Sequence, residues 1–171
     1  MQPLSMNLTI GMVQSVCEKK RYINSMLSLE TIFSIANVWV LPGWLLLVFA
    51  RSWKYTRFLI FYLIIVFLAI TYAWMLLSDI GSFDPEAGSS LSNLALTFSN
   101  ERVALVGWIH YLAFDMLAGL MIAMDGKKTG IHPALMFLPL FFTLMTGPFG
   151  LLIYTVIRYF YKGKAGVPLG E

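Results

Sequence analysis

Between Arg57 and Asp79 the chain runs from Phe58 to Ser78 without a single charge. A helix needs about 20 apolar residues to cross the roughly 30 Å hydrocarbon core of a bilayer. In lipid, only a helix or a closed barrel satisfies its own backbone. That uncharged run therefore sets the fold class. Three further apolar blocks follow the same logic, so helices are expected over about 29–50, 58–77, 102–124 and 133–159. Charged residues make up 12% of the chain, against about 25% in a soluble domain. The expectation is an all-α polytopic membrane protein, four transmembrane helices forming one bundle over 29–161.

The flanks and linkers set the orientation. Residues 1–28 carry Lys19-Lys20-Arg21 after their mildly apolar part, the reverse of a secretory signal, and read as an N-terminal extension, disordered or organelle-targeting. Residues 162–171 read as a flexible tail. Cys17, alone of its type, leaves no intramolecular disulfide and no CxxC motif. The net charge of +3 lies beside the apolar blocks, which suits anionic membrane lipid and not nucleic acid. Arg51, Lys54, Arg57, Lys127 and Lys128 crowd the two short linkers against one acid, Asp125. Short cationic loops stay on the cytoplasmic side, or the stromal side in a plastid, so the two short linkers are expected there.

The first block carries Ser34 and Asn37 on one side, then Pro42, which releases the carbonyl of Val38, and Gly43, which admits a close neighbour. Either a kinked packing interface or a polar notch lining a ligand cavity fits that pattern. The second block is apolar all round and reads as scaffold. Residues 78–101 form the one substantial loop, and its inner stretch Leu91 to Phe98 is expected to be a short interfacial or re-entrant helix.

Chemistry concentrates in the third block, in Gly107-Trp108-Ile109-His110-Tyr111-Leu112-Ala113-Phe114-Asp115. Ionisable groups at membrane depth are tolerated where they face protein or water, and they often mark function. At about 100° per residue, Ala104, Gly107, Trp108, Tyr111, Asp115, Ala118 and Gly119 share one face, and the small residues among them point it into the bundle. His110 lies about 140° from Asp115, whereas Tyr111 is one turn away on the same face. After a tight basic turn, Asp125 to Gly130, the fourth helix opens at His132-Pro133. Its Pro139, Gly147, Pro148 and Gly150 interrupt the backbone at membrane depth, which survives only where protein or a cavity satisfies it, so Thr146-Gly147-Pro148 should face Asp115.

The residue inventory narrows the chemistry. Two histidines are too few for a membrane di-iron site. His110 and His132 stand roughly 20 Å apart by helix rise, so they share no metal and no haem. Nucleotide loops and metalloprotease motifs are absent from the sequence. What remains is acid-base work or ligand orientation, with Asp115, Tyr111 and His110 as catalytic candidates and Trp108, Asn37, Thr146, Gly147 and Pro148 as substrate-binding ones. No metal and no cofactor is called for. A buried carboxylic acid keeps its proton and can donate it, as opening an epoxide or isomerising a polyene would require. The competing reading is structural: Asp115 and His110 bond freed carbonyls or hydroxyls on neighbouring helices.

Three stretches, GWIHYLAFD (107–115), LETIFSIANVWVLPGWLLLVF (29–49) and LFFTLMTGPFGLLIY (140–154), resemble the abscisic-acid-deficient-4-like family, small four-helix membrane proteins of plants, algae and bacteria. Plant members are linked to forming neoxanthin from violaxanthin in plastids. The resemblance implies a carotenoid ligand, a long apolar rod with polar ends, and a cofactor-free isomerase acting on it. Two alternatives stay open: a carotenoid- or lipid-binding accessory protein serving a partner membrane enzyme or a second copy of itself, and a small transporter or structural subunit.

Overall fold

The computed structural model describes residues 29–78 and 85–162. The expectations for 1–28, for the loop at 79–84 and for the tail over 163–171 lie outside the described residues. Every regular element among the described residues is helical: α1 (Leu29–Phe49), α2 (Thr56–Leu77), α3 (Leu91–Phe98), α4 (Glu101–Lys128), α5 (Pro133–Thr146) and α6 (Pro148–Lys162). Of these α1, α2 and α4 are long and apolar enough to cross a bilayer, and α5 is a shorter apolar helix. The chain is an all-α membrane bundle.

From Ala36 onward the described residues pack as one unit. The central helix is α4, half buried over its most apolar stretch where α1 and α2 are 28% buried. Ala36, Val40, Trp44 and Leu47 recur every three or four residues and make the buried stripe of α1; Ile60, Ile64, Leu68 and, two turns on, Met75 make that of α2. Gly43 is the point of closest approach, since a methyl there would meet Ile64 Cδ1 at 2.6 Å and Met116 Cε at 2.9 Å. A side chain on Gly119 would strike the Trp44 ring at 2.8 Å. Small residues thus seat α1 against α2 and α4, as van der Waals packing between membrane helices requires.

Two polar devices complete this half of the bundle. Between Leu59 and Ile65, α2 widens into a π-helical stretch, and the Trp39 indole Nε1 donates to the Leu63 carbonyl at 2.9 Å. In hydrocarbon such an outside donor satisfies backbone that a widened turn exposes. At the start of α4, Asn100 Oδ1 caps the helix by accepting from the Arg102 amide at 2.9 Å, and Arg102 Nη2 donates to the Ser78 hydroxyl and the Met75 carbonyl at the end of α2.

The junction after α4 differs from the expected turn. The helix runs on to Lys128, four residues past the expected end, and takes Asp125 and Gly126 into its last turns. It closes with the Ile131 amide donating to the Gly126 carbonyl and the Gly130 amide to that of Lys127, with Gly130 at φ +73°. That is a Schellman motif, and Ile131 beyond it is buried. The glycine that read as part of a turn, Gly126, is a contact point inside the helix, its missing side chain giving room to Met136.

The fourth apolar segment, expected as one helix over 133–159, is two helices. Gly147 stops α5 at φ +56°, and α6 folds back along it. Gly150 packs onto Pro139 and Thr143, with the Pro139 carbonyl 2.5 Å from where its side chain would begin, and Tyr154 and Arg158 reach Asp125 near the end of α4. Pro139 lacks an amide, and the Thr143 hydroxyl donates to its carbonyl at 2.7 Å, which leaves a close, side-chain-free seat for Gly150. The pair α5–α6 is therefore a re-entrant hairpin that begins and ends on the face of the short linkers. Arg158 thus lies near the end of α4 that carries Lys127 and Lys128, and not at the opposite end, where one continuous helix would put it.

Candidate functional site

Asp115 sits fourteen residues into the twenty-eight of α4, about 21 Å from either end at 1.5 Å per residue. It is 8% exposed, and its Oδ2 is buried without a hydrogen-bond partner among the described residues. A buried acceptor left unpaired is costly and usually marks strain or function. Tyr111, one turn earlier, interacts through its hydroxyl with the same carboxyl. On the other side stands Gly147, the apex of the hairpin: any side chain there would fall on the Asp115 carboxyl.

The expected substrate-binding residues divide. Trp108 Nε1 donates to Asn37 Oδ1 of α1 at 3.1 Å, and the Trp108 and Tyr111 rings lie 5.4 Å apart. Asn37, Trp108, Tyr111, Asp115 and Gly147 thus form one connected row. Thr146 and Pro148 flank the apex but are exposed, and the Thr146 hydroxyl donates back to the Phe142 carbonyl. His110 is not brought to the row. Its ring stacks on Phe114 at 4.5 Å and meets Tyr72 of α2 at 5.6 Å, on the opposite side of α4 from Gly147.

The face carrying this row is also corrected. The buried centre of α4 passes through Leu105, Ile109, Leu112, Met116 and Leu120, and Asp115 lies at its edge. Of the small-residue face, Asp115 and Gly119 are buried, whereas Ala104, Gly107, Tyr111 and Ala118 are half-buried and Trp108 is exposed. The consequence concerns access. Since α5–α6 turns back level with Asp115, it does not cover α4 one and two turns earlier, and Trp108 there is 39% exposed.

A second ionic group escaped the sequence reading. Asp125 is buried, with its Oδ2 accepting from Arg158 Nε at 2.6 Å and from the Tyr154 hydroxyl at 2.5 Å; Tyr154 is fully buried. Asp125 looked like a loop residue. The available signal was the spacing of Tyr154 and Arg158, four apart on one helix face, beside the one acid of the short linkers. This trio clamps the far end of the hairpin to α4, about 15 Å along the helix from Asp115.

The sequence pattern of the ABA DEFICIENT 4-like family matches residues 31–154, which takes in the whole Asn37-to-Gly147 row. Neither the curated proteins nor the solved structures include one that matches the chain.

Proposed function

Because the chain belongs to the ABA DEFICIENT 4-like family, we propose that it acts on a carotenoid in a bacterial inner or plastid membrane, as a cofactor-free isomerase of an epoxy-carotenoid end ring. One observation carries the reading: a buried carboxyl with an unpaired oxygen stands at mid-membrane, at the open edge of the bundle, beside a tyrosine. A carotenoid matches that edge because its apolar length suits the lipid-facing surface and its oxygenated ring suits Tyr111, Trp108 and Asn37.

In this reading Asp115 gives a proton to the epoxide oxygen as the C–O bond breaks, leaving a hydroxyl. A proton leaves the adjacent polyene carbon for the resulting carboxylate, so the product is an isomer and no co-reactant is consumed. Tyr111 orients the carboxyl, and the Asn37–Trp108 pair positions the ring. His110 has no part in the step.

The test is pigment chromatography of epoxy-carotenoid-producing cells that express the chain or its Asp115→Asn variant. A new isomer with the wild type, lost in Asp115→Asn and kept in His110→Phe, is the expected result. Unchanged pigments in every strain remove the enzyme reading, and purified protein that carries carotenoid without turnover replaces it with a binding role.

A further inference from the structure

On the face of the short linkers a pocket of about 980 Å³ opens between the α1–α2 linker and the end of α4. Five cations stand around it: Arg51, Lys54, Arg57, Lys127 and Lys128. Among the described residues no carboxylate lines it. The rim is braced across the two linkers, because Lys127 Nζ donates to the Ser52 carbonyl at 3.3 Å and Arg51 Nη2 to that of Ile131 at 2.9 Å. Arg51 Nη1 is buried in that wall with no hydrogen-bond partner among the described residues, a donor left unused where donors are normally satisfied.

Below the cations the lining changes character. Leu47, Leu120 and Ala123 make a buried apolar floor, while Phe58, Phe61 and Tyr62 form an exposed lip along α2. Trp53 stands at the mouth. Cations above an apolar channel that is open sideways to the bilayer make an amphipathic site. A free anion would use only the upper part of it.

We propose that this pocket binds an anionic membrane lipid, its phosphate-type head group held by Arg51, Arg57, Lys127 and Lys128 and one acyl chain lying along Phe58 and Phe61. Guanidinium groups suit the oxygens of such a head group by forked donation, and the lysines add charge. The site is distinct from the Asp115 row, which lies at mid-membrane on the far side of the Met116–Leu120 stripe.

The experiment places the full chain in phosphatidylcholine nanodiscs containing a small fraction of phosphatidylglycerol brominated in its acyl chains. Fluorescence quenching that is absent in Trp53→Phe reports occupancy of the pocket. The expected result is quenching of Trp53 several-fold stronger than that given by brominated phosphatidylcholine at the same fraction. Each cation removed should weaken this preference roughly fivefold, so Arg57→Gln with Lys128→Gln abolishes it. Arg57→Lys, which keeps the charge, should retain most of it, and far-UV circular dichroism confirms that each variant is folded. Equal quenching by the two lipids overturns the proposal. So does an undiminished preference in the folded double variant, which would mean diffuse surface charge, and so does displacement of the lipid by inorganic phosphate, which would mean a free-anion site.

Discussion

The Asp115 carboxyl occupies the space that a side chain on Gly147 would need, although the two residues belong to different helices and lie 32 positions apart. The bend of the hairpin and the candidate acid are therefore one structural unit. Gly147 also sits at φ +56°, ψ −96°, a backbone region that L side chains rarely adopt and where strain costs about 1–3 kcal/mol. Gly147→Ala should lose more than that backbone term in unfolding titrations in detergent, because the methyl also displaces the carboxyl. Removing the carboxyl relieves the second part, so Asp115→Ala and Gly147→Ala should couple favourably by at least about 0.5 kcal/mol in a double-mutant cycle. Strict additivity would show that the two do not meet.

Gly150 and Gly43 make a contrasting pair. A methyl on Gly150 meets the Pro139 carbonyl and the Thr143 backbone, neither of which can shift without opening the hairpin. A methyl on Gly43 meets the ends of Ile64 and Met116, which can rotate away. Overpacking costs about 1–3 kcal/mol, so Gly150→Ala should fall at or beyond the top of that range and Gly43→Ala near the bottom. Thermal unfolding in one detergent ranks the two, and the reverse order would contradict the fold-back.

The Asp125–Arg158 pair is mostly withdrawn from solvent, its side chains 8% and 11% exposed. Deleting one partner of such a pair strands the other and costs about 3–5 kcal/mol. Asp125→Ala should therefore destabilise by that order, while Asp125→Leu combined with Arg158→Met should recover most of the loss, since two apolar side chains need no pairing. A double variant as weak as the single one would assign the effect to Tyr154, which would have lost its acceptor in both.

The hairpin also predicts sidedness. In a Cys17→Ser background, cysteines placed at Ser52 and Tyr161 should react with a membrane-impermeant maleimide from the same side of sealed vesicles. A cysteine at Ser92, in α3, should react from the other. One continuous fourth helix would instead group Tyr161 with Ser92.

The apolar runs made the bundle legible because the bilayer imposes a length and a backbone rule on any chain within it. Phe58 to Ser78 could be nothing but a spanning helix. The row from Trp108 to Asp115 was legible for a similar reason, since polar groups at membrane depth need a partner and helical spacing says which of them share a side. It was less legible which side that was. Burial of α4 follows the bulky Leu105, Ile109, Leu112 and Met116 together with Gly119, which Trp44 covers, whereas Ala104, Gly107 and Ala118 are only half-buried.

Local hydropathy and the pitch of single helices were enough for the membrane class, the helical architecture, the cations between the apolar blocks and the separation of His110 from Asp115. That the fourth segment turns back at Gly147, that Asp125 is a buried clamp for Arg158 and Tyr154, and that Arg51, Lys54, Arg57, Lys127 and Lys128 gather around one pocket follows from the packing of the helices alone. Those features depend on contacts between residues tens of positions apart. A Pro-Gly-rich apolar run can kink and continue or fold on itself, and what selects the second course is the close seat of Gly150 on Pro139 and Thr143 together with the grip of Asp125 on the returning helix.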